Sequence, residues 1–225
     1  KHYPNDSDGL PQRDELLSLI AAGCNWLVSN QNEDGGWGDT ILSYSNIATT
    51  ILGIAAIKLA GNESDYSEAI ESATSYVDQQ GWIDGLKARY GKDKTFAVPI
   101  LTNAALAGLV PWSAVASLPF ELACFPQSFY RFLQLPVVSY AIPALVGIGQ
   151  AKFFHQKPWN PISRIIRSLT VNRSLRVLKQ MQPASGGYLE AIPLTSFVAM
   201  SLISTGRAKH SVSKNAVRFL VDTVR

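Results

Sequence analysis

Apolar residues recur along this chain at helical spacing, and no stretch alternates as a strand would. From about Asp14, the residues Leu16, Leu17, Ile20, Ala21, Cys24 and Leu27 fall on one side of a predicted helix. Ser45 to Leu59 is apolar or small at almost every position, with Ile47, Ile51, Ile54, Ala55 and Leu59 as its large members. Such a segment predicts an inner helix covered on most sides. Ser67 to Gln79 is more polar and suits an outer position. Phe96 to Leu109 reads as a further apolar helix, interrupted early by Pro99, and Pro111-Trp112 opens a loop-rich aromatic region running to Phe132. Leu135 to Ile148 is the longest apolar run, with Pro136 and Pro143 inside it. It is shorter than the roughly 20 apolar residues that cross a bilayer, so a buried inner helix is the expectation. Beyond a linker at Lys157–Pro161, the pattern predicts an outer helix to Gln182, an inner one over Pro193–Thr205 and a last one over Ser211–Val224. Residues 1–13 read as an extended lead-in, and residues 14–225 as a single all-α domain, an α/α barrel of helical hairpins.

The joints between these helices repeat. Leu27, Gln31, Gly35-Gly36 and Trp37 have the same spacing as Leu178, Gln182, Gly186-Gly187 and Tyr188. A contracted version, Gln80-Gly81-Trp82, lacks the spacer. Repeated helix–turn–helix units bury their core by stacking on one another. In each turn the glycines can adopt positive φ, and the aromatic is expected to pack back on the preceding helix. The Gln amide is expected to bond backbone groups left free at a neighbouring helix end. Gln31, Gly36, Trp37, Gln80, Trp82, Gln182, Gly187 and Tyr188 are thus predicted to be structural clamps without chemistry of their own.

With 225 residues, 47% of them hydrophobic, the chain can bury a sizeable core. Charged residues make up only 16%, against the usual quarter or so, which implies a surface hidden against a partner domain, an oligomer or a membrane. A net charge of +3 from scattered Lys and Arg offers no track for a nucleic-acid backbone. Cys24 and Cys124 make no disulfide framework and have no His or Asp at metal-ligand spacing. No metal site is therefore expected on them. Paired carboxylates of the glycosidase kind are also missing. No signal or transit peptide is visible, which predicts a cytoplasmic protein, with peripheral contact to a membrane allowed for.

Gln31 through Trp37 resembles the QW motif of squalene–hopene and oxidosqualene cyclases, the class II terpene cyclases. The resemblance continues in order through Ile47-Ala48-Thr49-Thr50, Gln80-Gly81, Phe96–Leu109, Pro111-Trp112, Leu118-Pro119-Phe120-Glu121-Leu122 and Ser139-Tyr140, and it covers about Cys24 to Arg225. It implies two α/α barrels, of which this chain is similar to the inserted one. The other barrel carries the Asp-Xaa-Asp-Asp acid that protonates the polyene. No such string occurs here; the nearest, Asp6-Ser7-Asp8-Gly9, lacks the final acid. Protonating an alkene takes an unusually strong, preorganised acid.

The resemblance thus implies no catalytic residue in this chain. Its implied role is one wall of the hydrophobic cavity in which a linear isoprenoid is cyclised, with the acid supplied by a partner barrel. Carried over residue by residue, the cavity wall would include Pro99, Tyr140, Ala191, Ile192 and Pro193. The chain departs from the family at Pro99 and Thr195, where aromatics are usual, and at Ile142, where Arg is common. Two other readings compete. One is a non-catalytic α/α-barrel module that binds an apolar lipid or a protein partner. The other is a protein prenyltransferase β subunit, whose zinc needs an Asp, a Cys and a His; the three histidines here, His2, His155 and His210, have no such company.

Overall fold

The computed structural model describes residues 11–61, 63–91, 94–125 and 141–224. Among these the secondary structure is entirely helical, of the α/α kind. Its contacts gather into two compact units, one over Arg13–Val115 and one from Ala116 to the C-terminus.

The first unit is built on α2 (Ile47–Ala60), with α1 (Arg13–Ser29), α3 (Ser67–Gln80), α4 (Trp82–Tyr90) and α5 (Lys94–Leu106) against it. Asn46 caps α2, accepting from the Thr49 N–H at 3.0 Å, and Gly61 ends it with φ 85°. Ile47, Ala48, Ile51, Ile54, Ala55 and Ile57 are all buried, so α2 is covered on most sides, though Leu59 at its end is exposed. The outer α3 buries only Ala69, Ala73 and Val77, one residue per turn along one face. The apolar face of α1 is only partly covered. Cys24 is its one fully buried residue, while Leu17, Ile20 and Trp26 are exposed. Helix α4 has no counterpart in the sequence pattern. Its first residue, Trp82, holds φ 48°, and Leu86 is its one buried residue. Pro99 does not interrupt α5; the helix runs through it, and Pro99 is buried.

In the second unit, α6 (Ile142–His155) packs on α7 (Pro161–Met181), α8 (Ile192–Ser204) and the 3₁₀ turn Phe120–Cys124. The remaining helix, α9 (Ser211–Asp222), packs on α8 and α7. The apolar run predicted to end at Ile148 continues as helix to His155. Pro143 lies in its first turn, where a missing N–H costs nothing. Leu135–Tyr140 lies outside the described residues. The core joins Phe120, Val146, Phe153, Val171, Leu175, Leu178, Tyr188, Val198 and Leu202. Gly147 lets α6 approach α8 closely: a Cβ there would stand 3.2 Å from the Val198 Cα. Two polar contacts cross this core. The Gln150 amide donates to the Val171 carbonyl at 3.1 Å and to the Ser174 hydroxyl at 2.9 Å. Arg167, buried on α7, pairs with Glu121 at 3.3 Å and donates to Ser117 Oγ at 2.6 Å.

Gly53 on α2 faces the Trp37 ring so closely that a Cβ would lie 2.7 Å from it. Gly53→Ala should therefore destabilise the chain by about 1–3 kcal/mol through overpacking, despite the roughly 1 kcal/mol that Ala gains in helix propensity. Urea unfolding checks this, and a gain in stability would mean that the ring can yield.

Candidate functional site

The two Gln…Gly-Gly-aromatic turns share one set of bonds. Gln31 Nε2 donates to the Gly35 carbonyl at 2.7 Å and to the Ala69 carbonyl at 2.9 Å. Gln182 Nε2 donates to the Gly186 carbonyl at 2.9 Å and to the Val212 carbonyl at 3.0 Å. Each amide thus ties its own turn to the first turn of an outer helix, α3 or α9. The acceptors are not free carbonyls at a helix end, as the sequence suggested. They lie in the first turn of those helices, where a carbonyl still has a second lone pair.

The aromatics face backwards in both turns. Trp37 Nε1 donates to the Leu27 carbonyl at 2.8 Å, and the Tyr188 hydroxyl donates to the Leu178 carbonyl at 3.0 Å. Both carbonyls lie at the end of the preceding helix and also accept a backbone N–H, Leu27 from Asn30 and Leu178 from Gln182, each at 3.1 Å, so the aromatic donor uses the second lone pair. Burial pushes the Tyr188 phenol far above its ordinary range. Both aromatics are themselves buried. Their own backbone N–H groups donate to a threonine on the following inner helix: Trp37 to Thr50 Oγ1 at 3.0 Å, Tyr188 to Thr195 Oγ1 at 2.9 Å.

The glycines are fixed by space as well as by torsion. Gly35 and Gly186 hold φ 83° and 91°. A Cβ at Gly36 would lie 2.6 Å from that of Ser45, and one at Gly187 would lie 2.4 Å from the Phe219 ring. Asp34 and Ser185 close the turns by accepting from the Gly36 and Gly187 N–H groups.

Gln80 and Trp82 build something different. Gln80 is exposed, and the Trp82 indole N–H donates to the Asp78 carboxylate within its own turn. The turns also differ from each other beyond the aromatic. The first inserts Asp39–Ser45 before its threonine, with Leu42 and Tyr44 almost fully exposed. The second is six residues shorter, and Leu189 and Glu190 close it with φ 55° and 52°.

Among the residues expected to line a cavity, Pro99 is buried within α5. Ala191 is half-buried, while Ile192 and Pro193, opening α8, are exposed. Tyr140 lies outside the described residues, as do Phe129, Tyr130 and Phe132. Cys24 is buried, with its thiol pKa pushed up by burial, and the Cys124 Sγ donates to the Thr170 carbonyl at 3.7 Å. No cluster of His, Cys, Asp and Glu among the described residues could hold a metal ion. Likewise, none of their helices is long and apolar enough to cross a membrane.

Two features escaped the sequence reading. One is the pair Thr50 and Thr195; a hydroxyl in the first turn of each inner helix was the available signal. The other is charge segregation beneath the small net charge. Residues 13–115 carry six Lys and Arg against twelve Asp and Glu, whereas residues 116–225 carry thirteen against three.

These matched turns, each joining an outer to an inner helix, define an α/α protein of repeated hairpins. The chain belongs to the squalene–hopene cyclase family: residues 13–141, more than half of it, match the squalene-hopene cyclase N-terminal domain. Its curated relatives include the squalene hopane cyclase afumA of Aspergillus fumigatus, 28% identical over 61% of this chain and 17% of the relative. Enfumafungin synthase efuA of Hormonema carpetanum is 30% identical over 51% of this chain and 8% of the relative. The terpene cyclase-glycosyl transferase fusion protein fsoA of Humicola fuscoatra is 31% identical over 63% of this chain and 10% of the relative. The matched region spans less than a fifth of the length of each of these proteins.

Trp37→Phe and Tyr188→Phe each remove one donor from a helix-end carbonyl, and each should cost about 1–3 kcal/mol. Gln80→Ala should stay within about 0.5 kcal/mol of the parent, as exposed positions do. Equilibrium unfolding by urea checks the three together; a Gln80→Ala loss as large as the others would make the third turn a clamp as well.

Helix α9, which the second turn grips, is capped by a titratable side chain. His210 Nδ1 accepts from the Val212 N–H at 3.3 Å, so this cap needs the neutral ring. Burial first, then Arg207 and Lys179, hold the His210 pKa below its ordinary value of 6.5. A depressed folded-state pKa stabilises above the unfolded value and loses that stability as pH falls through the folded one. Unfolding followed from pH 7 to pH 5 should show a decline that His210→Asn, which keeps a capping oxygen, reduces.

Proposed function

We propose that residues 14–225 form one α/α barrel of a class II terpene cyclase and supply one wall of the cavity in which a linear isoprenoid is cyclised. The family membership over residues 13–141 carries this reading. The acid that protonates the polyene comes from another barrel, in the same polypeptide or a separate subunit, because no Asp-Xaa-Asp-Asp string occurs in these 225 residues. Cyclisation of this kind moves a proton and π electrons without redox, so the proposed reaction needs no cofactor. Gln31, Gly36, Trp37, Gln182, Gly187 and Tyr188 hold the frame, and Ile192 and Pro193 stand at the opening of an inner helix, where substrate contact is proposed. Tyr140 and Pro99 remain proposed wall residues through the resemblance alone. The proposed setting is cytoplasmic.

Incubation with squalene or geranylgeranyl diphosphate tests the proposal. The purified chain alone should yield no cyclic product, and adding a separately expressed barrel that bears the acid should restore product. In that assembly Ile192→Phe should change the product distribution. Product from the chain alone would overturn the assignment of the acid to another barrel. Tight binding of the isoprenoid without any product in the assembly would favour the non-catalytic binding module.

A further inference from the structure

The turn from α8 to α9 gathers positive charge that no nearby carboxylate answers. Arg207 is half-buried there. Its guanidinium carbon stands 4.3 Å from the centre of the Phe154 ring, and Nη1 donates to Thr205 Oγ1 at 2.5 Å. That bond uses one of the five N–H donors of the guanidinium, and the ring beneath fixes the group in place. The His210 N–H donates to the Arg207 carbonyl at 3.0 Å, which closes Arg207, Lys209 and His210 into one tight turn. Because His210 Nδ1 accepts from the Val212 N–H, the neutral ring carries its proton on Nε2. Gln182 donates to the Val212 carbonyl and accepts from Asn215, so the end of α7, with exposed Lys179, is held against the start of α9.

Lys214, in the first turn of α9, adds a further positive charge. Neither α7, α8 nor the turn from α8 to α9 contains Asp or Glu. Glu190, ahead of α8, accepts from Ser185 Oγ at 2.6 Å, and Asp222 is the last residue of α9. Burial first, and then Arg207 and Lys179, lower the His210 pKa, so these like charges sit close enough to act on one another.

We propose that Arg207, Lys179, Lys209 and His210 Nε2–H form a binding site for a small phosphate or diphosphate ligand. The guanidinium is planar and presents paired N–H donors that match phosphate oxygens, while the two lysines bring point charges from separate elements. A phosphate group concentrates two negative charges on one tetrahedral centre, which suits cations that converge on one turn. A carboxylate would answer only one of them, and a nucleic-acid backbone needs a stripe of cations rather than a cluster. The thirteen residues of α8 span about 20 Å between this turn and the opening at Ile192 and Pro193. The site is therefore separate from the place where substrate contact is proposed, and it does not depend on which isoprenoid is cyclised, or on whether any is.

Calorimetric titration of the 225-residue chain with inorganic phosphate and with inorganic diphosphate, against sodium chloride at matched ionic strength, tests it. Both anions should bind at a single site where chloride does not. Phosphate should also raise the His210 pKa, followed through its ring protons by NMR and assigned with His210→Asn. Lys179→Gln should weaken phosphate binding about fivefold and Arg207→Gln about tenfold or more. Lys179 is exposed, so its variant keeps the parent Tm and carries the test even if Arg207→Gln folds poorly. Tighter binding of diphosphate than of phosphate would support the site and assign it a diphosphate ester. Heats no larger than those of sodium chloride would overturn the proposal. So would binding undiminished in both variants, or an unchanged His210 pKa, since the anion would then sit elsewhere as an adventitious ion only.

Discussion

The structure depends on a single amide bridging two carbonyls. In each matched turn the Gln Nε2 group carries two N–H donors, and it spends one on its own turn and one on a helix about 30 or 38 residues further on. That pairing converts a flexible glycine turn into a fixed corner between three helices. The aromatic then adds a bond back to the helix just ended and packs its ring against the helix about to begin. Two side chains and a threonine thus add four hydrogen bonds to backbone groups at each corner. Because buried unpaired groups are costly, the corner has few alternative conformations, and the helices leaving it are aimed before they pack.

How much of this was readable follows from where the information sits. Gln, Gly-Gly and the aromatic are close in sequence, so the turn was visible, as was α2, whose apolar residues cover all its faces. The partner carbonyls of Ala69 and Val212 carry no side-chain signature and could be located only in three dimensions. Helix α4 has little sequence signature because its first residue adopts a left-handed φ and it buries only one residue, Leu86. From Ile142 onward the apolar run is helix, as its composition predicts, with Pro143 in a first turn where no N–H is lost, and the helix extends past the apolar run to His155. Pro99 reads as an interruption in the sequence, yet the interior of α5 accommodates it as a buried residue.

The two turns also divide what is fixed from what varies. Up to the aromatic they share the bonds of the Gln amide, the aromatic and the threonine, while the Asn32 N–H donates to the Gly36 carbonyl at 3.0 Å where Pro183 has no N–H to give. After it, one runs through Asp39–Ser45, held by Asn46 and Thr49 donating to Asp39, while the other turns at once through Leu189 and Glu190. Two non-glycine residues in the left-handed region cost of order 1 kcal/mol each or more, and the hydrogen bond from Ser185 Oγ to Glu190 at 2.6 Å helps to hold them there. Variation is therefore confined to the connection that enters an inner helix, the position where Ile192 and Pro193 are exposed. A frame that tolerates loops of different length at that point can change what it presents without moving the helices beneath.

Charge segregation places a further constraint on such a frame. Excess positive charge in a compact unit repels itself, and the repulsion falls with distance and salt. Residues 116–225 limit it by keeping Arg167 inside, neutralised by Glu121, and by spreading Arg164, Arg173, Arg176 and Lys179 along exposed positions of one long helix. Apart from Lys179, which suits the negative end of the helix in its last turn, these cations have no acidic partner within the helix, where pairs one turn apart would have stabilised it. Their uniform sign, beside aliphatic residues that the core does not use, is therefore a property of the surface rather than of folding. In the first unit the surface is instead predominantly acidic, so the two units present opposite electrostatic faces while sharing one kind of corner.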